Sequence, residues 1–314
     1  MSNQRDIIVR EVGMRDGLQM VKDIFPTDAK LRWLQAEADA GIPEIEVCSF
    51  VPVHVVPQFQ DHAEIVEAGL KIPGLTVSAL VPNARGAARG FELGVDKLNF
   101  VLSASETHNL KNVRCTTEES LGRLKDIFAL RNENPAYAGI DIAGGISTAL
   151  GCTMEGKIDP TRVMWIAEEM LKLGVSEIMI ADTVGYANPA LVHDVFRQAA
   201  DLFAKDVRIS AHFHDTRGLG LANVVAALNA GITEFDASMG GLGGCPFAPA
   251  ATGNIVMEDL VFMLEEMGLN TGVNLEKLIS IREIINGGLP ESEPLYGAIA
   301  RAGLPKPKMP EMTG

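Results

Sequence analysis

Short apolar runs rich in β-branched residues recur along the chain at 6–12, 42–50, 75–82, 97–102, 139–147, 177–181, 208–214 and 233–239. Each has the length and residue types of a buried strand. Between them the apolar spacing lengthens to that of a helix. The first such stretch places Leu31, Leu34 and Ala38 on one face, with Thr27 positioned to cap its start and Gly41 to end it. Another opens at Asp159 and Pro160, a capping carboxylate followed by proline at the first helical position. Strands alternating with helices in this way predict an α/β fold, a closed (β/α)8 TIM barrel. An open sheet of the same strand number would usually show a topological break or an inserted domain.

No Pro/Ser-rich linker interrupts the series, so residues 1–285 read as one catalytic domain that includes helices near 255–267 and 275–285. The 286–314 segment, with Gly287, Gly288, Pro290, Pro294, Pro305, Pro307 and Pro310, reads as an irregular, partly mobile tail.

A hydrophobic content of 47% over 314 residues is enough to bury a large core. The formal net charge of −14 repels polyphosphate and argues against nucleic-acid binding, so an anionic ligand needs a local basic site. Cys48, Cys115, Cys152 and Cys245 form no CxxC pair, which suggests neither a zinc site nor a disulfide framework and fits a reducing cytoplasm. The first residues lack the apolar core of a signal peptide, and no apolar run is long enough to span a membrane.

The chemistry concentrates where the strands should end. His212 and His214 are two apart, so on a strand both imidazoles face the same way, at the C-terminal end where barrel enzymes build their sites. Alternatively, one packs inside and the other satisfies a backbone group. Asp215 follows and could orient an imidazole. Arg15 and Asp16 end the first strand, either as a solvated turn or as a carboxylate delivered to the histidines. Asp16 with two imidazoles makes a mixed oxygen and nitrogen site suited to Mg2+ or Mn2+. Asn254 could complete that site or cap the next helix. The glycine-rich loop around Cys245 reads as a mobile cover whose thiol moves a proton, or as a phosphate-binding loop. Glu46 and Asp182 are candidate partners for the metal site or Arg15, or else polar plugs or caps; His193, on an outer helix, reads as structural.

As a set, the segments 11–19 (EVGMRDGLQ), 46–50 (EVCSF), 149–157 (ALGCTMEGK), 182–185 (DTVG), 211–216 (AHFHDT) and 241–248 (GLGGCPFA) resemble the hydroxymethylglutaryl-CoA lyase family. The likeness runs in order over residues 7–280. It implies a metal-dependent carbon–carbon lyase that cleaves 3-hydroxy-3-methylglutaryl-CoA to acetyl-CoA and acetoacetate, with CoA as part of the substrate. By matching position, Asp16, His212, His214 and Asn254 would hold the cation, Arg15 would stabilise the enolate, and Cys245 would act in proton transfer. Gln19 is a candidate substrate contact, and Lys22, Lys111 and Arg114, expected on loops after strands one and four, are candidate contacts to CoA phosphate or pantetheine, or else solvated surface charges. The resemblance also implies a homodimer or tetramer.

Several positions depart from the family pattern: Met14 stands where Pro is usual, Met20 and Val21 where Asn-Glu is common. Ala143, Gly144 and Gly145 replace larger side chains on strand five, so Gly145 is expected to enlarge the pocket. That makes a related ester, such as citramalyl-CoA or a longer homologue, the alternative substrate. A condensing synthase of the isopropylmalate or homocitrate type would share the Arg-Asp and HxH elements but usually carries a further C-terminal domain. A silent binding barrel is the remaining alternative.

Overall fold

A computed structural model describes residues 5–244 and 253–305 of the chain. The strands are β1 (Ile8–Glu11), β2 (Glu44–Ser49), β3 (Thr76–Val81), β4 (Lys97–Ser103), β5 (Asp141–Ser147), β6 (Glu177–Asp182), β7 (Arg208–Phe213) and β8 (Glu234–Ala237). Neighbours pair in parallel, and β1 pairs with β8 as well as β2, so the sheet closes into the expected (β/α)8 barrel.

Around it lie α1 (Thr27–Ala40), α2 (His62–Gly69), α3 (Ala84–Leu93), α4 (Glu106–Val113), α5 (Thr117–Glu133), α6 (Pro160–Leu173), α7 (Pro189–Phe203), α8 (Gly220–Asn229) and α9 (Met257–Glu266). The chain then continues through α10 (Leu275–Ser280), α11 (Arg282–Gly288) and α12 (Ala298–Ala302). Among the described residues no helix is long and apolar enough to cross a membrane.

Local signals act mostly as expected. Asp159 caps α6 by accepting from the Thr161 N–H at 2.9 Å. Gly41 ends α1 at φ 98°, where a Cβ would come within 2.5 Å of the Gly272 carbonyl oxygen. Thr27 does not cap α1. Pro26 holds the cap position, and the Thr27 hydroxyl donates to Asp61 Oδ2 at 2.8 Å. The connection after β4, expected to be a loop, contains α4. Ser105 caps this helix, Lys111 lies within it, and Arg114 follows its end at φ 57°.

Strand alternation divides the core in two. Ile45, Leu98, Phe100, Ile142, Ile178 and Ile180 are buried in the main hydrophobic core. Each contributes roughly 1.5–3 kcal/mol of burial. Their alternates Glu44, Glu46, Lys97, Asn99, Glu177 and Met179 line the barrel interior. At the base the Lys97 ammonium lies between Glu44 and Glu177, and Arg10 pairs with Glu177 and Asp236. The Ser210 hydroxyl donates to Glu177 at 2.5 Å. Charges this deep persist because each meets an opposite charge and further hydrogen bonds.

The helix expected at 275–285 breaks at Ile281 into α10 and α11. Beyond α11 the chain returns over the β8 end of the barrel. The Tyr296 N–H donates to the Gly240 carbonyl at 2.7 Å, and Arg282 donates to the carbonyls of Leu295 and Tyr296.

Candidate active site

At the top of β1 the chain enters a single π-helical turn, Gly13–Gly17, which carries Arg15 and Asp16 into the mouth. Gly13 is required because a Cβ there would lie 2.4 Å from Glu11 Oε1. Arg15 is fixed from two sides: its Nε donates to Glu46, and its Nη1 donates to Asp16 Oδ1 at 2.7 Å. Glu46 also accepts from Asn99 Nδ2 at 2.9 Å, so the carboxylate is itself held in place. Arg15 Nη2 has no hydrogen-bond partner among the described residues.

His212 and His214 enter from β7 and its end, with their Nε2 atoms 3.1 Å apart. Asp16 Oδ2 lies 3.8 Å from His214 Nε2. Asp16, His212 and His214 each offer a ligand atom within 4.8 Å of the others, the geometry of a shared cation site. Asn254 does not cap a helix, because Val256 holds the cap position of α9. Its backbone bridges to His214 instead, and its Nδ2 donates to Asp16 Oδ2 and to the Leu242 carbonyl, both at 2.9 Å. With the amide nitrogen so engaged, Oδ1 is buried with no hydrogen-bond partner among the described residues. A buried acceptor left alone is costly, and a divalent cation is a ligand that would satisfy it. The donor set of one carboxylate, two imidazoles and an amide oxygen therefore fits the metal expected from sequence.

The electrostatics support this arrangement. Burial works to raise the Asp16 pKa, but Arg15, the two imidazoles and the Asn254 amide outweigh it and hold the carboxyl below its ordinary value. Burial, then the charge of His212, pushes His214 down to about 4, which keeps it a neutral lone-pair donor. Burial also opposes protonation of His212, but its bond to Asp236 raises it.

Asp236 is the functional residue that sequence reasoning missed. Its Oδ2 lies 3.1 Å from His212 Nδ1, and its Oδ1 accepts from Arg10 Nε at 2.7 Å. The available signal was the alternation of Glu234, Asp236 and Ser238 along the last strand, polar residues on one face of a buried element. Parallel neighbours then pair His212 with Asp236 and Asp236 with Arg10 directly in register.

Two candidate partners make backbone contacts beside the cluster. Asp215 Oδ1 accepts from the Gly220 N–H at 2.7 Å at the start of α8, while the Nδ1 of His212 bonds to Asp236. Asp182 accepts from the N–H groups of Tyr186 at 2.9 Å and Ala187 at 3.1 Å, organising the turn after β6. Burial, partly offset by those bonds, raises its pKa to about 6. Gln19, Lys22, Lys111 and Arg114 stand outside the cluster, the last three exposed. His193 lies on α7, half exposed. Cys245 lies outside the described residues.

Gly145 lines the interior cavity but does not enlarge it as expected. A Cβ there would lie 2.8 Å from Met179 Cε and 3.0 Å from Val101 Cγ2, so neighbouring side chains have taken the space.

The HMGL-like family model matches residues 6–285. Hydroxymethylglutaryl-CoA lyase YngG of Bacillus subtilis is 40% identical over 280 residues, which cover 89% of this chain and 92% of that protein. The mitochondrial hydroxymethylglutaryl-CoA lyase of Rattus norvegicus is 40% identical over 276 residues, 88% of this chain and 83% of that protein. The structure of an HMG-CoA lyase from Acinetobacter baumannii, solved with coenzyme A and 3-methylmalate, superposes with a TM-score of 0.87 at 38% identity, covering 96% of this chain and 98% of that one. The chain belongs to the HMGL-like family and is a carbon–carbon lyase of the hydroxymethylglutaryl-CoA lyase type.

Proposed function

We propose that the chain cleaves 3-hydroxy-3-methylglutaryl-CoA to acetyl-CoA and acetoacetate. The carrying observation is the meeting of Asp16, His212, His214 and the unpartnered amide oxygen of Asn254 beside the fixed guanidinium of Arg15. The named activity of relatives at 40% identity supports the same reaction. The coenzyme A bound by the Acinetobacter baumannii relative supports an acyl-CoA substrate.

Asp16, His212, His214 and Asn254 would hold the cation, Mg2+ or Mn2+. When bound, it supplies Lewis acidity toward the tertiary hydroxyl of the substrate. The remaining work falls to side chains. With His212 Nδ1 donating to Asp236 and Nε2 directed to the cation, Asp16 or a water takes the hydroxyl proton; the C2–C3 bond breaks; acetoacetate departs as the ketone; and the electron pair passes to the thioester enolate. Arg15 meets that charge with Nη2, because Glu46 and Asp16 already occupy its Nε and Nη1. Its pKa is set by burial, which lowers it, against Glu46 and Asp16, which raise it further, so the guanidinium stays charged throughout. Protonation of the enolate carbon yields acetyl-CoA, and Cys245 is the proposed donor. Lys22, Lys111, Arg114 and Gln19 are proposed contacts to the CoA portion and its thioester, and the enzyme is proposed to work as a homo-oligomer.

A panel of branched 3-hydroxyacyl-CoA esters assayed for acetyl-CoA tests the proposal. Release from 3-hydroxy-3-methylglutaryl-CoA, abolished by EDTA and restored by Mg2+ or Mn2+, is the expected outcome. No release from any ester, or full turnover in excess chelator, contradicts it.

A further inference from the structure

The β4–β6 side of the barrel interior differs in character from the rest. Val101, Gly145 and Met179 are direct register partners across β4, β5 and β6, so they form one row at one height. All three face the cavity that also touches Arg15, Glu46 and Asn99. Val101 and Met179 point into the barrel yet are only half-buried. The Met179 Cε lies against the space above Gly145, 2.8 Å from where a Cβ would stand. The cations deeper in this cavity are already taken, Lys97 by Glu44 and Glu177 and Arg10 by Glu177 and Asp236.

From this row we infer that Val101, Gly145 and Met179 form the wall that receives an uncharged alkyl branch on C3 of the substrate, and that Met179 sets the length of branch admitted. This rests on the lyase reading and adds to it the side chain that limits the branch at C3. A carboxylate against this wall would lose its hydration with no counter-charge in return. The charged end of the substrate therefore turns away from this wall, toward the cation that Asp16, His212, His214 and Asn254 would hold, and the apolar branch turns toward Met179. With Met179 Cε and Val101 Cγ2 both closing over Gly145, the row leaves room for a small branch only. Methionine suits the role because its unbranched end packs closely over glycine and shifts without moving the strand.

The test compares kcat/KM for the 3-methyl, 3-ethyl and 3-propyl forms of 3-hydroxyglutaryl-CoA in the wild type and in two variants. The wild type is expected to favour methyl over ethyl by at least about tenfold, the scale of one methylene in an apolar pocket. Met179→Ala opens the wall, so the propyl-to-methyl ratio should rise by at least about tenfold. Gly145→Ala acts in the opposite sense: its new Cβ drives the Met179 methyl into the cavity, because the β-branched Val101 on the other side yields less, and the ethyl-to-methyl ratio should fall. Should Met179→Ala not fold, Gly145→Ala alone decides, since a ratio between substrates is unaffected by loss of active protein. Ratios unchanged from the wild type in a folded variant overturn the wall assignment while leaving the lyase reading intact. A wild type that cleaves none of the three esters overturns both.

Discussion

Asp236 lies against Nδ1 of His212, which directs Nε2 toward His214 and Asp16, and Arg10 holds Asp236 in turn. Partners of this kind fix the tautomer and raise the basicity of a metal-binding imidazole. Asp236→Ala is therefore expected to weaken Mn2+ affinity by about 10–100-fold, measured by titration of the metal-free protein, while the fold persists. Unchanged affinity would make Asp236 a partner of Arg10 only. Arg15, Asp16, His212 and His214 were legible in sequence because their chemistry is concentrated in adjacent or alternating positions at strand ends. Asp236 was not, because its meaning depends on closure of the barrel, which sets β8 against both β7 and β1. Asn254 stayed ambiguous for a different reason. An amide serves equally as a helix cap and as a ligand, and only the start of α9 two residues beyond Ile255 separates the two.

Between elements, two contacts hold the mouth together. Arg282 at the start of α11 joins Glu258 of α9, at 2.5 Å, to the carbonyls of the returning chain. Glu258 also accepts from the Gly240 N–H at 2.9 Å, so the beginning of the glycine-rich loop and the returning chain share one anchor. Arg282→Met leaves a buried carboxylate without its partner and should cost about 1–3 kcal/mol in denaturant unfolding. It should also quicken proteolysis between α11 and α12; an unchanged digestion pattern would mean that the chain is held by other contacts. The second contact lies beneath the Arg15 turn, where Glu37 of α1 meets Glu11 of β1 and accepts from Trp33 Nε1 at 2.6 Å. Burial raises both carboxyls of this pair, Glu11 well above its ordinary value and Glu37 to about 8, so the two share a proton. The folded state therefore keeps a proton that the unfolded chain releases near pH 4.3, and the stability this proton confers is lost as pH rises through about 8. Glu37→Gln should flatten that loss, gaining stability over the wild type at pH 8.5 relative to pH 5 in thermal melts. Parallel pH profiles would show that Glu37 titrates normally. The strand and helix alternation was readable because period-two and period-3.6 patterns are imposed by burial. The exact caps were not, since Thr27 found a better partner in Asp61 than in its own helix.

Across the whole molecule, a chain of net charge −14 places a ring of mixed buried charges inside the barrel and brings one cluster of ligands to its mouth. The barrel was legible because an unbroken strand–helix series leaves few other ways to bury both faces of so many parallel strands. The interior ion network was less legible, because Arg10, Lys97 and Glu177 each look like surface residues until register places them side by side. The most direct test is electron spin-echo modulation spectroscopy of Mn2+ added to the metal-free protein. The expected result is one ion per chain with modulation from two directly bound imidazole nitrogens, lost together when His212 and His214 are replaced. A bound ion without nitrogen modulation, or no bound ion, contradicts a cation centre built from Asp16, His212, His214 and Asn254.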